Sequence, residues 1–292
     1  MKPFAIGDIR IDRVEESCGP LIKPGEFLVD LPQDAIARNL SWLAPDFYSA
    51  ATDQFVLSIH SWVVRTERYN ILIDTCFGNQ KNRPGMPPAH ELDTPWLERL
   101  AACGLVPEQI DYVMCTHLHT DHVGWNTKLS NGRWVPTFPN ARYLFSRTEY
   151  DHWNPKVGNG QGWGQEGVFE DSVLPCMEAG QATLVDDGYE VDGGLRIEAA
   201  PGHTVGNVII RAKSQNKTGL FTGDCMHTPL QIAYPDVGTR VCQQPEVGAK
   251  TRRRILGECA EHGHLLLPAH FPLPHYGRVT AHGDAFKYHP PA

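Results

Sequence analysis

The stretch Thr116-His117-Leu118-His119-Thr120-Asp121-His122 places four side chains able to bind a divalent metal within seven residues. Imidazole nitrogen and carboxylate oxygen both bind zinc, at about 2.0–2.2 Å. In an extended loop, residues two apart point the same way. His117 and His119 can therefore grip one ion, while Asp121 and His122 reach a second. The chain has 14 histidines, and an isolated one is ordinarily a surface or satisfied core group. His60, His90, His152, His262, His264, His275, His282 and His289 are read that way.

Three more ligand candidates lie downstream, each after an apolar run and small residues: His203 in Ala200-Pro201-Gly202-His203, Asp224 in Leu220-Phe221-Thr222-Gly223-Asp224, and His270 in Leu267-Pro268-Ala269-His270. Gly202, Gly223 and Ala269 are expected to let the backbone approach an ion closely. Structural zinc sites are closed and often rich in cysteine, and seven His/Asp ligands without Cys point instead to open, water-bearing ions.

The elements that must position these residues follow from patterning. Tyr112–Cys115 is an apolar run that reads as a buried strand ending at the His-rich stretch. Residues 55–64 and 69–74 form a predicted hairpin, with Asp74 at its end. Strands are expected at 4–15 (an edge), 141–145, 182–185, 195–199, 207–212, 219–222 and 264–267. Helices are expected from Thr94-Pro95, over 147–153, within 168–179 and over 246–262. Residues 135–140 read as loop, 154–167 as a Gly-rich mobile loop, and 271–292 as a loop-like tail. Residues 20–54 read as an insertion, either a pocket wall or lid or an apolar arm. Two sheets packed together with helices outside, in one domain over 1–292, accommodate this order.

Composition narrows the function. A net charge of −8 and a pI near 5.9 argue against nucleic-acid binding. The one basic cluster, Lys250–Arg254, is expected to be a solvated helix face. No apolar run is long enough to span a membrane, and the N-terminus lacks a signal-peptide pattern, so a soluble cytoplasmic protein is expected. Eight cysteines without a C-x-x-C pair are expected to be buried free thiols.

On this ligand order the chain resembles the metallo-β-lactamase superfamily, over roughly residues 55–270. The resemblance implies an αββα sandwich (α/β) of two mixed sheets flanked by helices. It implies one metal on His117, His119 and His203, a second on Asp121, His122 and His270, and Asp224 bridging them. Asp74 matches the family's buried supporting aspartate. His119 stands where oxygen-reducing diiron members carry Glu, and Asp224 where β-lactamases carry Cys or Ser. The long N-terminal stretch and the His122-to-His203 spacing resemble the acyl-homoserine lactonase and methyl parathion hydrolase-like branch. His227 stands where lactonases of the first kind carry Tyr, which resembles the parathion-hydrolase-like side.

The expected function is a dinuclear hydrolase of a lactone or related carboxylic ester. Two ions about 3.5–4 Å apart hold a bridging hydroxide near neutral pH, and this attacks the carbonyl. Asp121 can pass a proton to the leaving group. His227 can hydrogen-bond the tetrahedral intermediate or orient a ligand. Zinc is the expected metal, with Mn, Co or Fe compatible. Trp42, Phe47, Phe77, Trp125, Trp153 and Trp163 are candidate pocket walls for a small hydrophobic substrate. A homodimer would cover the apolar arm. The alternatives are aryl esterase or organophosphate triesterase, β-lactamase or thioesterase specificity on the same site, or a structural metal domain.

Overall fold

The computed structural model describes residues 3–291. Two mixed sheets form its centre. In the first the order is Phe4–Ile6, Ile9–Ile22, Gln54–Arg65, Asn70–Ile73, Tyr112–Met114, Arg142–Ser146 and Ala182–Val185, with the short strand Tyr48–Ser49 also paired to Gln54–Arg65. In the second it is Glu190–Val191, Leu195–Ala199, Val208–Ser214, Lys217–Gly223 and Leu265–Pro268.

Period-2 alternation sorts these strands into layers. Trp62, Val64, Ile71, Ile73 and Met114 face the second sheet, where Ile197, Ile210, Phe221 and Leu267 meet them. Their sequence neighbours Val63, Leu72 and Val113 face outward, onto Trp96 and Leu100 of the helix Trp96–Ala102. On the far side, Ile209, Leu220 and Leu266 pack against Ile255, Leu256 and Cys259 of the helix Pro245–His262. The result is the expected αββα sandwich. All eight cysteines are free, and Cys76, Cys115, Cys176, Cys225 and Cys259 are buried. Among the described residues no helix is long and apolar enough to cross a membrane.

Several local expectations need correction. Residues 4–15 form two strands, because Gly7 (φ 60°) turns the chain, and the second continues to Ile22 as an interior strand. A hairpin, Thr127–Ser130 with Arg133–Pro136, occupies part of the stretch expected as loop. Its turn, Asn131-Gly132, has φ of 50° and 75°, matching the Asn-Gly preference of tight hairpins. The expected tail is also a hairpin, Arg278–His282 with Ala285–His289, and it folds because Val279 and Tyr288 find Phe47 and Phe271. Arg252 does not lie on a solvated face. It is buried and donates to the carbonyls of Cys225 (2.6 Å), Pro235 (2.6 Å) and Val237 (3.0 Å). Its neighbours Arg253 and Arg254 reach Asp236 and the Ala199 carbonyl at the surface.

A buried ionic cluster anchors the loops beside the His-rich stretch. Arg83 donates to Asp171 (2.8 Å) and to the Thr120 hydroxyl (3.2 Å). Lys81, fully buried, lies 3.6 Å from the same Asp171 oxygen, donates to Thr127 (2.6 Å) and sits over the Trp134 ring. Burial pushes the Lys81 ammonium down to about 7, although Asp171 pulls the other way. Removing one partner of a buried pair leaves charge uncompensated, which costs about 3–5 kcal/mol. Asp171→Asn should therefore lower the unfolding free energy in urea by about 3 kcal/mol. A negligible loss would show that Arg83 and Lys81 do not depend on it.

Candidate metal centre

Parallel pairing brings the site together. Asn70–Ile73 runs beside Tyr112–Met114 with Ile73 opposite Met114, so Asp74 emerges next to the start of the His-rich stretch. Lys217–Gly223 runs beside Leu265–Pro268 with Gly223 opposite Pro268, so Asp224 and His270 emerge together. The loop between Leu195–Ala199 and Val208–Ser214 carries His203, and the Val208 N–H donates to the Thr116 carbonyl (2.8 Å), joining the two sheets at this lip.

Two glycines expected to face an ion serve a different purpose. A Cβ on Gly202 (φ 138°) would lie 2.2 Å from Gly248 Cα, and one on Gly223 (φ 49°) would lie 2.7 Å from the Thr116 hydroxyl. They let the ligand loops approach the long helix and the His-rich stretch.

The seven candidate ligands converge in two groups: His117, His119, His203 and Asp224, and Asp121, His122, His270 and Asp224. Within each group one donor atom per residue lies within 4.8 Å of every other. Asp224 belongs to both, and its two oxygens divide between them. Oδ2 lies 3.2 Å from His203 Nε2 and 3.8 Å from His117 Nε2. Oδ1 lies 2.9 Å from His270 Nε2 and 3.3 Å from His122 Nε2. Asp121 Oδ2 is 3.5 Å from His270 Nε2 and 3.6 Å from His122 Nε2.

Asp74 organises the rings from behind. Its carboxylate accepts from the Thr116 N–H (2.7 Å), the Thr116 hydroxyl (2.8 Å) and His122 Nδ1 (2.9 Å). The Thr116 oxygen, having donated to Asp74, accepts from His117 Nδ1 at 3.1 Å. His270 Nδ1 donates to the Ser58 carbonyl (3.1 Å). With Nδ1 carrying the proton in all three, each Nε2 lone pair points at the centre.

Charge is unevenly distributed. Burial, and the neighbouring imidazoles, push His117 and His203 well below the usual histidine range, and burial takes His119 down to about 4. Burial also opposes charge on His122 and His270, yet Asp224 with Asp121 outweighs it and raises both, with Asp74 adding to His122. Burial would protonate Asp224, but His270, His122, His227 and His203 hold it well below the carboxylate range. His117 Nε2, His122 Nε2 and Asp224 Oδ1 are buried with no hydrogen-bond partner. Orphaned buried polar atoms are costly, and inward-aimed imidazole and carboxylate donors suit divalent cations. The residues fit a pair of ions.

His227 lies between the two groups, its ring centroid 5.1 Å from that of His203. Its Nε2 is 3.0 Å from Asp224 Oδ2, its ring stacks on His270 (centroids 5.3 Å apart) and it meets Phe27 edge-on. Neither ring nitrogen has a hydrogen bond, and burial lowers its basicity against the pull of Asp224.

A cavity of about 390 Å³ opens over His119, Asp121, Asp224, His227 and His270. Leu21, Ile22, Phe27, Leu57, Ile59, Phe77, Met86 and Trp163 form an apolar wall, and Arg240 and Gln243 a polar one. Of the six aromatic wall candidates, Phe77 and Trp163 line it. Trp42 is exposed and bonds Asn39. Phe47 packs on Phe271 and Tyr288. Trp125 stacks on Trp96 and donates to Glu16 (2.7 Å). Trp153 lies edge-on behind His119. The segment 20–54 is thus divided, its start lining the cavity and its end packing on the C-terminal hairpin. Residues 154–167 are pinned: Trp163 donates to the Gly85 carbonyl (3.1 Å), and Gln165 bonds Thr120 N–H and Leu118 carbonyl. Leu21, Ile22 and Phe27 give the start of the segment 20–54 its expected role as pocket wall, whereas nothing in the spacing of Arg240 marks it as wall.

Comparison with known proteins agrees with this geometry. The Metallo-beta-lactamase superfamily model matches residues 55–271. The N-acyl homoserine lactonase AttM of Rhizobium radiobacter is 30% identical over 146 residues, covering 48% of this chain and 51% of that protein. The chain spans about half the length of such curated relatives. Two solved structures share the fold. The hydrolase AbOPH in the beta lactamase superfamily has a TM-score of 0.83 and 22% identity, covering 99% of this chain and 97% of that one. AidC, a dizinc quorum-quenching lactonase in complex with a product, has a TM-score of 0.80 and 20% identity, covering 100% and 97%. The sandwich, the order of candidate ligands along the chain and the match over most of its length converge on one statement: this chain belongs to the metallo-beta-lactamase superfamily.

Proposed function

We propose that this chain is a dinuclear metal-dependent hydrolase that opens a lactone or cleaves a related carboxylic ester. The observation that carries the reading is the shared carboxylate: two ligand groups meet at Asp224 on the floor of a largely apolar cavity. His117, His119 and His203 would hold one ion, Asp121, His122 and His270 the other, with Asp224 between them. Such ions, zinc in the first instance, supply a nucleophilic water near neutral pH and a Lewis acid for the carbonyl oxygen. The lactonase names of relatives and of a structural neighbour support the substrate class.

The chain's own residues divide the remaining work. The apolar wall from Leu21 to Trp163 excludes water and takes the hydrocarbon part of a neutral substrate. His227, held neutral by burial, offers an N–H to the carbonyl oxygen as it gains charge. The Asp121 side chain, about 20% exposed and facing the cavity, can carry a proton to the departing alkoxide. Water adds across the acyl–oxygen bond, leaving a carboxylate and an alcohol.

Four results are expected. Metal-loaded protein should turn over lactones or p-nitrophenyl esters ahead of paraoxon-type triesters, nitrocefin and thioesters, and no turnover of any lactone or ester would reject the proposal. His122→Ala should fold, retain one ion instead of two by metal analysis, and lose most activity; full activity would exclude a two-metal mechanism. His227→Ala should lower kcat about 10²–10³-fold with KM little changed, as for loss of an oxyanion donor; a pure KM effect would reassign it to binding. Since Asp224 and Asp121 outweigh burial and raise the basicity of His122 and His270 in the metal-free chain, ion uptake should release protons and weaken as pH falls. Calorimetry in buffers of different ionisation enthalpy reads this directly, and a buffer-independent heat would contradict it.

A further inference from the structure

Glu149 lies in the helix Arg147–Trp153, outside every ligand motif, and is completely buried. Its carboxylate accepts four hydrogen bonds. Oε1 takes the Leu118 N–H (3.1 Å) and Trp153 Nε1 (2.6 Å). Oε2 takes the Thr204 hydroxyl (2.7 Å) and the Gly206 N–H (2.9 Å). Leu118 separates His117 from His119, and Thr204 follows His203. The Trp153 ring, held by the same oxygen, packs edge-on against His119 at 5.5 Å between centroids. Gly206 has no side chain for a physical reason: a Cβ there would lie 2.3 Å from the Glu149 backbone nitrogen. One carboxylate thus ties together the two loops that carry the three imidazoles of the first group. The second group is held by other means, His122 by Asp74 and His270 by the Ser58 carbonyl.

From this arrangement we infer that Glu149 is a positioning residue for the His117/His119/His203 ion alone, setting the spacing between the two loops that would bind it. The inference rests on the two-ion reading above. Four donors converging on two oxygens suit a carboxylate and no other side chain of that size. In Glu149→Gln, one of the two oxygens becomes an NH₂ group. Whichever it is, a backbone N–H, that of Leu118 or of Gly206, then faces a donor, and the loop carrying it must move.

The test is Co²⁺ titration of the metal-stripped full chain against a competing chelator, with His122→Ala identifying the class of site that belongs to the first group. Glu149→Gln should weaken that class about 10–100-fold, as outer-shell partners of metal ligands do, and leave the other unchanged. Glu16→Gln alters an equally buried carboxylate that bonds Phe77, Gly78 and Trp125 and touches neither group, so it should leave both classes unchanged while lowering thermal stability. If Glu149→Gln does not fold, Thr204→Val removes a single donor and should weaken the same class to a smaller extent. Equal weakening of both classes, or of neither, overturns the role of Glu149 while leaving the hydrolase reading intact. A wild-type chain that takes up no Co²⁺ overturns both.

Discussion

Asp224 is a buried carboxylate with imidazoles on both sides, and this arrangement imposes the main constraint on the structure. A lone carboxylate at that depth would take up a proton. The imidazoles of His270, His122, His227 and His203 keep it charged, and unpaired nitrogens on His117, His122, His203 and His227 leave the cluster short of partners that protein alone can supply. Much of the fold serves to hold this frustrated set in register. A central strand of the second sheet delivers Asp224, a parallel neighbour delivers His270, and Arg252 clamps the carbonyl of Cys225 immediately after it.

The two sheets contribute different halves of the centre, so their docking matters as much as their cores. The His-rich stretch belongs to the first sheet, while His203, Asp224 and His270 belong to the second. The main-chain bond from Val208 to Thr116 spans that boundary. Buried carboxylates fix the loops on either side. Asp74 holds Thr116 and His122, Glu149 ties the His-rich stretch to the His203 loop, and Glu16 holds Phe77 and Gly78. Each replaces water as acceptor for backbone N–H groups that would otherwise be buried unpaired.

The cavity wall rests on separate supports. The cavity wall is drawn from the end of an N-terminal strand, the loop after Asp74, the segment around Trp163 and the loop before the long helix. These lie on the rim, and Gln165 and the Gln243 N–H tie two of them to the Leu118–Thr120 backbone and to the His203 carbonyl. The Arg83–Asp171–Lys81 cluster marks where the rim is anchored to the core, since Arg83 also bonds Thr120 within the His-rich stretch.

The sequence by itself determined the layers and the candidate ligands. Apolar runs of alternating faces predict strands whose ends carry His or Asp, and His117, His119, Asp121 and His122 are legible as a group because they lie close together in sequence, whereas the helical turn Thr120–Val123 and the bonds of His122 to Asp74 and of His117 to Thr116 orient the side chains. What depended on distant partners was not legible. Trp125 and Phe47 resemble wall aromatics until Trp96 and Phe271 cover them. The tail reads as loop until Tyr288 finds the core, and Arg252 reads as solvated until three carbonyls surround it. The Asn131-Gly132 turn is a local hairpin signal, and the strands it joins, Thr127–Ser130 and Arg133–Pro136, are too short for their own patterning to declare them. The one local signal of Glu149 is its place three residues after the capping Ser146, which marks a helix start and says nothing of the site. Its role depends on four donors, three of them supplied by loops far from it in sequence, and only the packed fold brings them to one carboxylate.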